Sequence, residues 1–339
     1  MSDVKNMRLF SCLFILFILV LSTQVIASSV KEVRFKGWFD TEFRGNDTSG
    51  NRPYFDIHHL YLISEITLEE NFSGLIEIEV EHSPKTSTNK GDVILERLYI
   101  KKKLSSQVSI RVGKFNTPFG YWAPTHWSIL VETISRPIHE SNHYIPAKSV
   151  GIETIGILFT KNNEIEWKLF FSNGSESEGT NKPEDQSFGG GGDLRFTFSE
   201  GNSFIGVSYY NQKNPQFEGR TENSVVGYAG TKFGKFDFKG EYISQTRSIG
   251  NSNTIYDDIE TYYISGKYNV NLDFAFGSRY DFGDDEKLNI NEKHHMTSLF
   301  LNWTPIPEII GKLEYDLHRF DMPIHRDFNE WAIYLGLIF

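Results

Sequence analysis

The sequence predicts an all-β fold: a transmembrane antiparallel β-barrel of about 16 strands with a long third external loop folded into its lumen. Three features carry that reading. Apolar and polar residues alternate with a period of two in segment after segment, the links between segments alternate between long and short, and the last segment keeps the alternation up to a terminal aromatic residue, Phe339. Composition agrees. The chain holds 28 Phe, 16 Tyr and 6 Trp, yet only 39% of its residues are hydrophobic, so the rings must be interleaved with polar groups and not pooled in one core.

The first alternating stretch is "VRFKGWFDTEFR". Val33, Phe35, Gly37, Phe39, Thr41 and Phe43 fall on one side of a strand, and Arg34, Lys36, Trp38, Asp40, Glu42 and Arg44 on the other. In "SGLIEIEVEH", Ile76, Ile78 and Val80 oppose Glu77, Glu79 and Glu81; in "EIEWKLFF", Ile165, Trp167, Leu169 and Phe171 oppose Glu166, Lys168 and Phe170. The period returns in "KFDFKGEYISQ", in "VNLDFAFGSRYDF" and in the terminal "WAIYLGLIF". Each segment runs about ten residues, the length a tilted strand needs to cross a hydrocarbon layer.

The links sort by parity. "GNDTSGNRPY" is long, "EENF" short, "SPKTSTNKG" long, "LSSQ" short, and the series continues to "TPIPE" and "FDMPIHRDFN". Tight turns on one face and long loops on the other mark a barrel that spans a membrane, because lipid offers no hydrogen-bond partner and every strand edge must be paired by closure. In the last strand Trp331, Ile333, Leu335, Leu337 and Phe339 alternate, and Phe339 is expected to be the assembly signal for the barrel-assembly machinery.

At the other end, Lys5 and Arg8 precede the apolar run Leu9 to Ser22, followed by Val25-Ile26-Ala27. That pattern predicts a secretory signal peptide over 1–27, leaving 28–339 as the barrel in the Gram-negative outer membrane. The apolar run is about 14 residues, short of the roughly 20 of a spanning helix. The one cysteine, Cys12, lies inside this leader, so thiol catalysis, disulfides and cysteine metal sites are not expected of the mature chain. A net charge of −10 argues against nucleic acid as a partner.

One connector is out of scale. Residues 116–149, "NTPFGYWAPTHWSILVETISRPIHESNHYIPAKS", form a link of roughly 30 residues where about four to six are usual. Phe119, Tyr121, Trp122, Trp127, Ile129, Leu130 and Val131 need burial, which folding into the barrel mouth would supply. The motifs "RVGKFNTPFG", "ETISRPIHES" and "SVGIETIGILF", with "YFDIHHLYLISEITLEENFSGLIEIEVE" before them, resemble the phosphate-selective porin O and P family. That resemblance implies a diffusion channel of 16 strands, often trimeric, narrowed by its third loop. The chain departs from the family in having His58-His59 where many members carry an Arg-Arg pair, and in lacking a dense ladder of lysines and arginines.

Within the long link, His139-Glu140-Ser141-Asn142-His143 spells the H-E-x-x-H pattern of zinc peptidases. That chemistry needs both histidines on one face of a stable helix; Pro137 and Pro146 bracket the segment and leave room for two turns at most. The pattern reads as a polar stretch of the constriction. His58-His59 and His294-His295 look like metal pairs, but neighbours in a regular strand point to opposite faces, so no metal site is expected from either. "GGGG" at Gly189 to Gly192 lacks the Lys-Ser/Thr of a phosphate loop and reads as flexible loop.

Selectivity in a diffusion pore is electrostatic, so the expected site is the set of charges facing the bore. From the strands these are Arg34, Lys36, Glu77, Glu79, Glu81, Arg97, Lys101, Arg111 and Glu153; from the loop, Glu132, Arg136, His139, Glu140, His143 and Lys148. The basic members are expected to oppose the row Glu77, Glu79 and Glu81 across the constriction. The function expected is passive diffusion of small hydrophilic solutes or ions, anions such as phosphate among them, without catalytic residues or a cofactor. Expected partners are outer-membrane lipid and lipopolysaccharide, the assembly machinery, and further copies of the chain in a homotrimer. The readings weighed against it are an outer-membrane hydrolase barrel, for which the serines and histidines are too scattered, and a scaffold barrel around a partner protein, for which the long loop leaves too little room.

Overall fold

In the computed structural model the alternating segments form sixteen strands: β1 (Val30–Asn46), β2 (Tyr54–Leu68), β3 (Phe72–Glu81), β4 (Asp92–Lys103), β5 (Val108–Asn116), β6 (Lys148–Phe159), β7 (Glu164–Ser172), β8 (Phe188–Phe198), β9 (Ser203–Asn214), β10 (Arg220–Phe233), β11 (Phe236–Ile249), β12 (Thr254–Asn269), β13 (Phe274–Asp285), β14 (Glu292–Ile306), β15 (Ile309–Phe320) and β16 (Phe328–Ile338). The structure describes residues 30–48, 50–69, 71–82, 91–125, 127–141, 146–173, 188–198, 200–214, 220–249, 254–285, 292–321 and 325–339. The expected leader with Cys12, and His143, lie outside them. No helix among the described residues is long and apolar enough to cross a membrane; the crossing is done by strands.

Each strand pairs antiparallel with its neighbours in sequence, and β1 pairs with β16 to close the sheet. The seam runs from Trp38 opposite Ile338 to Asn46 opposite Glu330. At its end the Phe339 amide donates to the Gly37 carbonyl and the Gly37 amide to the Phe339 carbonyl, both at 2.9 Å, with the Phe339 ring lying over Gly37. Closure pairs β1 and β16 with each other along this seam, the condition that hydrocarbon imposes.

Burial is inverted relative to a water-soluble domain. Phe35 and Phe55 are each 80% exposed, and Leu169, Phe171, Phe238, Phe276, Ile333 and Leu335 are exposed as well. Asp40, Glu42, Glu77, Glu153, Arg279, Asp281 and Lys312 are buried. The outer face is therefore apolar along every strand that alternates, and the solvent that covers it is lipid.

Links at one end are tight, at 69–71, 104–107, 160–163, 199–202, 234–235, 270–273 and 307–308. Those at the other end are longer, at 47–53, 82–91, 117–147, 173–187, 215–219, 286–291 and 321–327, save for the short link at 250–253, which joins the extended β11 and β12. One expectation is corrected. Gly189 to Gly192 are not loop but part of β8, paired with β7 and β9. Their small size makes room: a Cβ on Gly191 would lie 2.0 Å from the Tyr209 carbonyl and 3.1 Å from the Phe170 ring, which stacks on Tyr210 at 5.9 Å.

Candidate functional site

The link 117–147 between β5 and β6 packs against the polar inner face of the sheet, and its sequence explains how. Pro118 and Gly120 turn the chain as it leaves β5; Gly120 has φ +69°, and a Cβ there would come within 2.4 Å of a Glu241 carboxylate oxygen. The Gly120 amide donates to Ser208 Oγ at 2.9 Å, and the amides of Tyr121 and Trp122 donate to Glu241 on β11. A 3₁₀ turn, Ala123–Thr125, follows, closed by Thr125 Oγ1 on the Tyr121 carbonyl at 2.8 Å.

Apolar side chains of the loop then fill gaps between rings of the wall. Phe119 joins Phe115, Phe170, Tyr210 and Tyr228; Ile129 joins Trp38, Tyr61 and Leu75; Trp122 and Val131 meet Tyr263; Ile134 meets Ala332 and Tyr334. Leu130, expected to be buried with them, is exposed. Tyr121 and Trp127 are half-buried.

The wall's charges meet the loop's backbone. On β15, Lys312 donates to the carbonyls of Ser128, Val131 and Thr133, while Glu314 accepts from the amides of Ile134 at 2.6 Å and Ser135 at 2.7 Å. On β13, Arg279 bonds Asp281 at 2.7 Å, the Thr133 hydroxyl, the Ser135 carbonyl at 2.9 Å and the Ser135 hydroxyl at 3.0 Å. Arg279 is 1% exposed and Lys312 3%. Charges this deeply buried are costly unless every bond is met, and an irregular loop needs partners for its backbone. Each supplies what the other lacks. A bond to a charged group is worth about 1.5–3 kcal/mol, so three such anchors fix the loop firmly.

Glu132 reaches Lys239 at 2.5 Å and Lys267 at 3.2 Å. Burial opposes its ionisation, but the two ammonium groups prevail and hold the carboxyl at about 2. Ile138–Ser141 form a single helical turn, α1, one turn being less than the two allowed for. His139 is buried against Tyr263, stacked at 5.9 Å, with Glu140 and Glu241 both at 3.8 Å. Burial, with the Arg279 charge adding to it, takes His139 down to about 3, so its imidazole is neutral. Burial pushes Glu140 up to about 7. Arg136 is exposed on the loop.

The strand residues fall on the inner face, but in a different arrangement from the one expected. The basic and acidic rows do not oppose each other across the bore. Arg97 on β4 meets Glu77 on the adjacent β3 and Arg111 on β5 meets Glu153 on the adjacent β6, while Lys148 on β6 reaches past β5 to Glu96 on β4 at 2.6 Å. Consecutive strands of a closed meander are neighbours, so rows on β3 and β4 meet edge to edge. Lys101 lies half-buried opposite Arg111 near the tight-turn end. Arg34 and Lys36 have the inward parity but sit where β1 runs on past the last residue of β16, exposed and paired with Glu32 at 2.7 Å and Glu65 at 3.0 Å. They belong to the rim at the tight-turn end.

The histidine pair on β2 is a second correction. Asp40 pairs with His59 and Thr41 with Ile57, so His58 is an extra residue in a β-bulge. Both rings therefore turn to the same side and stack at 3.8 Å, where a regular strand would have separated them. His294-His295 behave as expected: His294 bonds His318 Nδ1 at 3.0 Å, and His295 meets Tyr280 and Asp321 on the other face.

Residues 33–235 match the family model of phosphate-selective porin O and P. The chain belongs to that family. It is an outer-membrane porin, a channel of the Gram-negative outer membrane. Among solved structures the porin is similar to an anion-selective porin from Comamonas acidovorans (13% identity, TM-score 0.67, covering 91% of this chain and 99% of that one). It also resembles the trimer form of OmpT, an outer membrane protein of Vibrio cholerae (10%, 0.64, 91% and 99%), and the outer membrane channel DcaP of Acinetobacter baumannii (13%, 0.62, 92% and 98%). No curated protein matches the sequence. At such identities the structures speak for the fold alone.

Sequence reasoning missed the porin's loop anchors, Glu241, Arg279, Lys312 and Glu314. The signal was present. In "GKLEYDLH", Lys312, Glu314 and Asp316 alternate with Leu313, Tyr315 and Leu317, which marks them as a charged inward row.

Proposed function

We propose that this porin is a passive, weakly ion-selective diffusion channel for small hydrophilic solutes, with the link 117–147 as its constriction and three copies in the working assembly. The observation that carries the reading is the pairing around the loop. Lys239 and Lys267 meet Glu132, Arg97 meets Glu77, Arg111 meets Glu153 and Lys148 meets Glu96. A cation already bonded to a carboxylate offers little net field to a passing anion. A wall of such pairs is polar and nearly neutral, which suits small uncharged or weakly charged solutes better than phosphate alone.

The family is one of channels, which favours transport over catalysis, and the one-turn α1 lacks the helix a metallopeptidase would need. The trimer form of the Vibrio cholerae protein supports the trimer. The test is a planar-bilayer recording in a KCl gradient with phosphate added. The expected result is discrete conductance steps, a reversal potential well short of the chloride equilibrium value, and no block by phosphate. A reversal at the chloride value with phosphate block would replace this reading with strict anion selectivity.

A further inference from the structure

The bulge on β2 has gathered a set of donors that the channel reading does not use. Asp40 accepts the backbone amide of His59 at 2.9 Å and faces His59 Nδ1 with both carboxylate oxygens at 3.1 Å. In the neutral ring whose Nδ1 donates to Asp40, Nε2 offers a lone pair. His59 is 3% exposed, and its Nε2 has no hydrogen-bond partner. It faces instead a carboxylate oxygen of Glu79 at 3.5 Å. A lone pair and a carboxylate aimed at each other in a buried place repel unless a cation stands between them.

The next inward residue of β3, Glu81, pairs in register with His59, and the donor atoms of His59, Glu79 and Glu81 all lie within 4.8 Å of one another. Behind them His58 is held by Glu42 at 2.9 Å and His82 by Asp56 at 2.7 Å, with the two rings stacked at 4.9 Å.

We propose that His59, Glu79 and Glu81 form a site for a divalent transition-metal ion of the zinc class on the inner wall, near the mouth that carries the long links. One imidazole and two carboxylates suit such an ion, whereas calcium and magnesium take oxygen ligands. Asp40 supplies the carboxylate behind the histidine that fixes its tautomer and strengthens it as a ligand. Three protein ligands leave a position open to water, so the ion exchanges with the bore and is not locked into the fold. Asp40 also accepts from Ser128 Oγ at 2.5 Å, which ties the site to the constriction loop.

The test is calorimetric titration of Zn2+ into the chelator-treated, refolded barrel in detergent. Saturable uptake by the site is expected, weakened about tenfold or more by His59→Gln and by Glu81→Gln, and unchanged by His294→Gln or by excess Mg2+. Glu81 is the last residue of β3, and its carboxylate is partly exposed with an ion-pair contact to His82 at 3.7 Å, so its variant keeps the fold even where His59→Gln perturbs it. No uptake would mean that the gap between His59 and Glu79 holds a proton and would overturn the site. Uptake indifferent to both variants, or lost with His294→Gln, would do the same.

Discussion

At the scale of single residues, a few wall charges hold the loop by bonding to its backbone. Lys312 is the clearest, because it serves three carbonyls that have no regular strand to pair with. Lys312→Met keeps the apolar stem and removes the donors, leaving buried carbonyls unmet. Single-channel conductance should rise, and stability in detergent should fall by about 1–3 kcal/mol per unmet group. Thermal melts and bilayer recordings on one preparation check both. Acidity acts on the loop's own groups. Glu132 is held at about 2 against an ordinary 4.5, so its contribution is full above 4.5 and is lost as pH falls toward 2. His139 sits at about 3 against 6.5, so burial favours the neutral ring, and that contribution is lost as pH falls below 6.5. Glu140 is raised to about 7 from 4.5, so its contribution is present below 4.5 and lost as pH rises through 7, offsetting His139 in between. Below 4.5 the losses at Glu132 and His139 are no longer offset, and the loop should loosen. Conductance recorded from pH 7 to 3 should climb below about 4.5, and the climb should shrink in Glu132→Gln; a flat profile would contradict these roles.

At the scale of elements, most of the barrel was legible and two features were not. Period-two alternation sorts the two faces of a strand, and Phe35 and Leu335, on the apolar sides read from sequence, are exposed. It says nothing of an inserted residue. A bulge at His58 changes no residue type, yet it rotates one ring to the other face and turns an apparently split pair into a stack. The four glycines of β8 misled for a related reason, since the glycine that frees a loop also leaves room for the Phe170 ring and the Tyr209 backbone inside a strand. The expected field between opposed rows failed on topology: alternation gives the face, and strand order shows that β3 and β4 touch. In the loop, Gly120 combines a positive φ with the close approach of Glu241. Gly120→Ala should therefore detach the amides of Tyr121 and Trp122 from Glu241, costing about 1–3 kcal/mol and raising conductance, as melting and bilayer recording would show. Unaltered conductance would remove this turn from the gate.

At the scale of the whole molecule, the inverted burial requires lipid or detergent, and the paired inner wall requires water in the bore. The purified barrel should therefore precipitate when detergent is withdrawn; a chain that stays soluble without it would contradict the inverted burial. The role proposed for the link 117–147, held by Glu241, Lys312 and Glu314, is to narrow the bore. Single-channel conductance of the wild-type chain beside the triple variant Glu241→Gln, Lys312→Met, Glu314→Gln tests it most directly. Small steps from the native chain and clearly larger, noisier ones from the variant are predicted. Equal steps from the two chains, or none from either, would contradict it.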